Sequence, residues 1–77
     1  MFYTLSTSPH QIADIRGGYK NLYLQLISGT GVRISSLLQS LQYQGGLQLA
    51  STDGILWLEW KGPLWVVGDG ILIVEVI

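Results

Sequence analysis

Two pairs of acidic residues are the side chains of this sequence whose type and spacing could support catalysis. Glu59 and Glu75 occupy matching positions of an internal repeat, and Asp53 and Asp69 form a second matching pair. Paired carboxylates can act as general acid and general base in hydrolysis. Here each glutamate would lie on a strand among Ile and Trp side chains, without loops that form a cleft. We therefore expect both glutamates to have structural roles.

The remaining residues do not favour metal binding or nucleophilic catalysis. The chain has no cysteine and a single histidine, His10. His10 lacks a nearby nucleophile and acid in the arrangement of a catalytic triad. A metal site built from Asp14, Asp53 and Asp69 would lack a loop with the ligand spacing that cations require. We predict that the protein is not an enzyme and uses neither a cofactor nor a metal.

Phosphate and nucleic-acid recognition are also poorly supported. The glycines at 17–18 and 29–31 are not followed by the Lys-Ser/Thr pair of a phosphate-binding loop. Three basic residues near two tyrosines could give a small patch for single-stranded nucleic acid. These residues are Arg16, Lys20 and Arg33, with Tyr19 and Tyr23. Because the formal net charge is −1, with only four Lys and Arg residues, we expect no nucleic-acid partner.

The composition indicates a folded chain with more apolar surface than a small monomer can hide. Of the 77 residues, 48% are hydrophobic and only 12% are charged, against about 25% charged residues in typical soluble domains. A chain of this length buries only about 60% of the surface that its unfolded form exposes. We expect a single domain over residues 1–77 that associates with another protein surface.

Targeting signals are not apparent in the sequence. The first nine residues lack the basic start and apolar core of a signal peptide. The longest apolar runs, such as residues 71–74, are too short to span a bilayer. We therefore expect cytosolic synthesis without a membrane partner.

Glycine and proline interrupt the chain at short intervals, which is typical of all-β folds. The predicted strands lie near residues 2–6, 21–28, 31–35, 47–51, 55–60, 63–67 and 71–77, with an edge strand or irregular lead-in at 11–16. The spacing of Ile34, Leu37, Leu38 and Leu41 fits a short helix within 34–44, although a strand or loop is the alternative there. The predicted fold is a small antiparallel sandwich or barrel.

An internal repeat occupies the C-terminal part of the chain. Residues 53–60 read DGILWLEW, and residues 69–76 read DGILIVEV. Asp53-Gly54 and Asp69-Gly70 are each predicted to form a hairpin turn, because Asp-Gly suits a type I′ turn. With residues 61–63 as the link, two similar hairpins would form a four-stranded meander. A further hairpin turn is predicted at residues 28–31.

Both faces of this meander are predicted to be apolar, because side chains alternate across a strand. Ile55, Trp57 and Glu59 share one face, and Leu56, Leu58 and Trp60 share the other. An antiparallel sheet on a small monomer usually turns a polar face to water, so a second copy or a larger partner must cover one face. The predicted interface consists of Trp57, Trp60, Trp65, Ile71, Ile73, Glu75 and Ile77. We expect a homo-oligomer, with a trimer as one stoichiometry.

The C-terminal hairpin resembles that of small tailed-phage virion proteins. Residues 62–70 read GPLWVVGDG and lead into an alternating strand that ends in Val-Glu-Val. The resemblance implies a capsid decoration, cement or tail-accessory protein located in the virion, with a capsid or tail protein as a second partner. The alternative function is a carbohydrate- or receptor-binding module that uses an exposed Trp beside Gln42, Gln48 or Asp53.

Overall fold

The computed structural model describes all residues from 1 to 77. It contains six strands, one short helix and one 3₁₀ turn. The strands are β1 (Phe2–Thr4), β2 (His10–Ser28), β3 (Val32–Ser35), β4 (Leu47–Leu49), β5 (Ile55–Gly68) and β6 (Ile71–Val76). The helix, α1, covers Leu38–Gln42, and the 3₁₀ turn covers Ser51–Asp53. The predicted all-β class is confirmed, and α1 lies within residues 34–44, where the sequence fits a short helix.

The six strands form one antiparallel sheet in the order β1-β6-β2-β5-β3-β4. The long strands β2 and β5 bend, so that the sheet folds into two layers. Layer 1 contains β1, β6, residues 20–28 of β2 and residues 55–60 of β5. Layer 2 contains β3, β4, residues 10–15 of β2 and residues 62–68 of β5.

Glycines allow the bend between the two layers. The pairing of β2 with β5 shifts register between Ile15 and Lys20, on either side of Gly17 (φ 84°) and Gly18 (φ 112°). Ile15 itself pairs with Gly62, which has a φ of 89°. These conformations are open to glycine and costly for other residues. The prediction that residues 61–63 link two strands is therefore wrong, because they lie within β5 and bend it without ending it.

The two layers enclose a single aliphatic core. Its side chains come from the five strands β2 to β6 and the connection after β1, and no polar residue is buried. The core residues are Leu5, Ile15, Leu22, Leu24, Leu26, Val32, Ile34, Leu49, Leu64, Val66, Leu72 and Val74. In each layer the inward residues alternate with residues that point outward, as the pleat of a strand requires.

The predicted meander and its hairpins are wrong, because most connections cross from one layer to the other. β5 and β6 do not pair with each other; both pair with β2, on its opposite sides. β4 pairs with β3, so Asp53-Gly54 joins strands of different layers. β2 and β3 are not paired either, which removes the hairpin predicted at residues 28–31. The consecutive strands that do pair, β3 and β4, are joined through α1.

Asp69 and Gly70 brace a corner between the layers. A Cβ atom at Gly70 would overlap the carbonyl group of Ser28, so the two loops pack backbone to backbone. Asp69 Oδ1 accepts hydrogen bonds from the Thr30 amide (2.9 Å) and the Thr30 hydroxyl (2.8 Å). These bonds, above all the one from the Thr30 amide, lower the pKa of Asp69 below its ordinary value. The Asp-Gly pair here ties two loops together.

Candidate interaction surface

The outer faces of the two layers differ in what covers them. On layer 2, Arg33 shares the outer face with its register partner Val67. Arg33 Nη1 donates hydrogen bonds to the carbonyl groups of Leu41 and Gly45, both at 3.1 Å. These bonds hold α1 and the loop after it against layer 2, where Leu41 and Val67 are buried. On layer 1 the outward apolar side chains face solvent: Phe2 is 67% exposed and Trp57 is 59% exposed.

The outer face of layer 1 carries an apolar cluster to which all four of its strands contribute. The register aligns Phe2, Ile73, Gln25 and Ile55 in one row across the sheet. Tyr23 and Trp57 lie in the next row, and Ile71 lies on the other side beside Thr4. We call Phe2, Tyr23, Ile55, Trp57, Ile71 and Ile73 the outer apolar face.

The size of the outer apolar face is unusual for so small a chain. From standard strand spacings, it measures roughly 20 × 20 Å, or about 400 Å². That area equals the largest apolar patch of a typical monomer, about 300–600 Å², although this chain has only 77 residues. Patches of this size commonly mark interaction sites.

The centre of the outer apolar face is neutral and able to form hydrogen bonds. The rings of Tyr23 and Trp57 meet edge to face, with centroids 5.3 Å apart and an interplanar angle of 86°. The Tyr23 hydroxyl donates to Gln25 Oε1 at 3.1 Å. This bond orients the Gln25 amide and leaves its nitrogen free to donate to a bound partner.

The two glutamates of the repeat lie at one end of this face. Glu75 is opposite Tyr23, and Glu59 is opposite Asn21. The two carboxylates are on strands that flank β2, which separates them by at least two strand spacings, about 10 Å. They do not converge on a common point, and no three His, Cys, Asp or Glu residues form a group that could hold a metal ion.

The structure separates the predicted interface residues. Trp57, Ile71, Ile73 and Glu75 lie together on the outer side of layer 1, and the exposed Ile77 follows β6 at its end. Two tryptophans lie elsewhere. Trp60 points inward against the core, and its indole N–H donates to the Pro63 carbonyl at 3.0 Å. Trp65 lies on the outer side of layer 2, opposite Ser35.

Phe2, Tyr23 and Ile55 belong to the outer apolar face but were not among the predicted interface residues. Alternation within residues 21–27 and 55–60 already groups Tyr23 with Gln25 and Ile55 with Trp57. The sequence does not show which strands pair. In the structure β2 lies between β5 and β6, and β1 pairs with the other side of β6. The missing information was therefore the order of the strands.

A groove of about 460 Å³ at a corner of layer 2 is the larger of two concave features. Its volume falls within the usual range for small-molecule sites. Its charged groups already have structural partners: Arg33 holds α1, and Asp53 Oδ2 accepts the Ala50 amide at 2.7 Å. The lining residues are Thr7, Thr30, Gly31, Val32, Arg33, Gln48, Leu49, Ala50, Asp53, Val67 and Gly68. None of them is aromatic, which makes the outer apolar face the stronger candidate.

Comparison with known proteins found no protein-family model, curated protein or solved structure that matches this chain. None of its helices has the length and apolar character needed to cross a bilayer.

Proposed function

We propose that this protein is a non-enzymatic structural subunit that self-associates through the outer apolar face. The observation that carries the proposal is the contrast between the layers. The chain covers layer 2 with its own α1, held by Arg33, but leaves Phe2, Ile55 and Trp57 of layer 1 in solvent. Contact of this much apolar surface with water is unfavourable, and association removes it.

The size of the outer apolar face suits a stable interface between two copies. Interfaces are about 60% apolar, with a polar rim around an apolar centre. An apolar centre of about 400 Å² therefore corresponds to roughly 650 Å² on each subunit, or about 1,300 Å² in total. Specific, stable complexes bury about 1,200–2,000 Å² in total.

The polar groups of the face also suit a second copy. The Gln25 amide can both donate and accept, so it can pair with the same amide across a two-fold axis. Consider a two-fold axis that lies in the interface between the outer apolar faces of two copies, at right angles to their strands. This axis places the end of one copy that carries Glu59 and Glu75 over the neutral end of the other copy, near its Thr4 and Ile71. In this orientation the carboxylates of the two copies do not face each other.

The setting we propose for this assembly is a phage virion, in which the protein acts as a capsid decoration or cement protein. This setting is supported by the resemblance of the C-terminal stretch, which includes Ile71 and Ile73 of the outer apolar face. A subunit that contributes binding energy through an apolar β surface fits such a role, and a capsid or tail protein would then be a second partner.

The proposal is tested by placing a charge within the outer apolar face. Phe2→Lys puts a lysine at the end of the central row, where burial of an unpaired ammonium is costly. We expect the face-to-face step to weaken at least tenfold, measured as a lower mass by light scattering and sedimentation equilibrium. The control is Leu37→Lys, which introduces the same charge at a 63% exposed position just before α1, away from the outer apolar face. A wild-type protein that is monomeric at high micromolar concentration contradicts the proposal.

The second candidate function is carbohydrate binding, and the exposed Trp57 beside Tyr23 and Gln25 supports it. Aromatic faces stack on sugar rings, and amides bind their hydroxyl groups. Gln42 and Gln48, which the sequence suggested as polar partners, lie on α1 and β4 instead. A tryptophan fluorescence change with an oligosaccharide panel, lost in Trp57→Ala, would favour this function. A concentration-dependent mass without any response to sugars would favour the structural one.

A further inference from the structure

We propose that residues 55–60 of β5 form a pairing edge, which joins the same edge of a second copy as antiparallel strands. This inference rests on the proposed self-association and specifies one of its contacts. It differs from the outer apolar face in using backbone hydrogen bonds within the plane of the sheet.

Residues 55–60 form an open edge of layer 1. Along this segment β5 pairs with β2 on one side, whereas β3 pairs with β5 only from Trp65 to Gly68. The burial of the inward side chains agrees with an open edge. Leu56 and Leu58 are only half-buried, although Leu22 and Leu24, opposite them on β2, are 0% exposed.

The hydrogen-bond pattern shows which backbone groups point out of this edge. The amide of Ile77 donates to the carbonyl of Asn21 at 2.9 Å, so the backbone groups of Asn21 point towards the β6 side of β2. Backbone groups alternate in direction along a strand. Those of Leu22 and Leu24 therefore point towards β5, where their partners are Leu58 and Leu56.

It follows that the amide and carbonyl groups of Ile55, Trp57 and Glu59 point away from β2 and out of the sheet. The three residues also carry their side chains on the outer side of layer 1. Each of them thus offers one donor and one acceptor, without a partner in the chain, beside the outer apolar face.

The other edges of the two layers are short or protected. β1 and β4 have three residues each. Residues 10–15 of β2 contain a register shift between Gln11 and Ala13, carry Asp14 and are followed by Arg16. Short length, bulges and charges are the devices by which proteins prevent unwanted strand pairing.

Residues 55–60 have almost none of these protective features. The segment reads ILWLEW, with no proline, lysine or register shift inside it, although Lys61 follows it. An exposed apolar edge of this length favours pairing with another strand. Among the four edges, this one is therefore the site at which the sheet can be extended.

The sequence of the edge matches itself in antiparallel orientation. A two-fold axis at Trp57 sets Trp57 opposite Trp57 of the second copy, and Ile55 opposite Glu59 of the second copy. In this register all three outward-pointing residues exchange hydrogen bonds, and the two Glu59 carboxylates lie at opposite ends. Cross-strand aromatic pairs stabilise antiparallel strand pairing. The extended sheet would also join two outer apolar faces into one surface of roughly 800 Å², the area that each partner contributes to a standard interface.

The test combines an edge substitution with the Phe2→Lys variant, which lies across layer 1 from this edge. Glu59→Pro removes an outward N–H, and edge strands accept proline where the N–H faces solvent. Glu59→Ala removes the same charge and keeps the N–H. By sedimentation equilibrium we expect the wild type to be larger than a dimer, Phe2→Lys alone and Phe2→Lys with Glu59→Ala to be dimers, and Phe2→Lys with Glu59→Pro to be monomeric.

The outcomes separate the two proposals. If Phe2→Lys has the same mass as the wild type, the outer apolar face is not an interface. If Phe2→Lys is a monomer, or its Glu59→Pro derivative is still a dimer, the pairing edge is wrong. If the proline variant misfolds, amide hydrogen exchange on the wild-type protein still tests the pairing edge. Exchange at Ile55, Trp57 and Glu59 should slow as protein concentration rises, and fast exchange at every concentration overturns the inference.

Discussion

Gly70 is the residue at which the corner between the layers can be tested most directly. Its φ is 94°, and an added Cβ would overlap the Ser28 carbonyl group. Gly17 is a matched control, because its φ is 84° but an added Cβ would have nothing within 4 Å. We expect Gly17→Ala to cost about 1 kcal/mol of unfolding free energy from backbone strain alone. Gly70→Ala should cost about 3 kcal/mol or more, because overpacking adds to the strain. Urea unfolding measures both, and equal losses would contradict the close packing.

Asp69 gives the same corner a dependence on pH. Its pKa is lower in the folded state, so its carboxylate stabilises the fold above the unfolded-state pKa of about 4. That contribution is lost as the pH falls through the lowered folded-state pKa. Asp69→Asn keeps an acceptor oxygen without the charge, and we expect it to lower the Tm at neutral pH. The Tm difference from the wild type should shrink towards zero in acid, and a difference that stays constant with pH would contradict this role.

At the scale of the elements, strand periodicity was predictable and strand order was not. Alternation in residues 55–60 and 71–76 correctly separates the inward Leu56 and Leu72 from the outward Trp57 and Ile73. The two copies of the repeat are indeed related: they are strands on either side of β2. The prediction of hairpin turns at Asp53-Gly54 and Asp69-Gly70 is wrong, because an Asp-Gly pair specifies a local reversal but not the strand that pairs next.

The helix α1 provides an element-scale test of how the outer side of layer 2 is covered. Leu41 is 1% exposed and lies outside the main core cluster, whereas Leu37, just before α1, is 63% exposed. We expect Leu41→Ala to lower the unfolding free energy by about 2–5 kcal/mol, because it removes a buried side chain. Leu37→Ala should change it by less than about 0.5 kcal/mol. Chemical denaturation distinguishes the two, and a silent Leu41→Ala would mean that α1 does not cover layer 2.

At the scale of the whole molecule, crossing connections explain how a short chain can form two layers and still leave a surface unpaired. Because β2 and β5 each serve both layers, every layer has four strands although the chain has six. Four strands in each layer leave four edges and two outer faces. One short helix covers one of these faces, and residues 55–60 leave a long edge open beside the other.

The proposed association would take its thermodynamics from the chemistry of that uncovered surface. Its central groups, Phe2, Tyr23, Gln25, Trp57 and Ile73, are all neutral, so ionic screening has little to act on there. Burial of apolar area gives a negative heat-capacity change. We therefore expect dilution calorimetry to show a dissociation constant that changes less than tenfold between low and high NaCl, and an association enthalpy that becomes more negative on warming. The contrary result would be a dissociation constant that rises steeply with salt and an association without a heat-capacity change. It would mean that charged groups such as Glu59 form the contact, and it would contradict assembly through the outer apolar face.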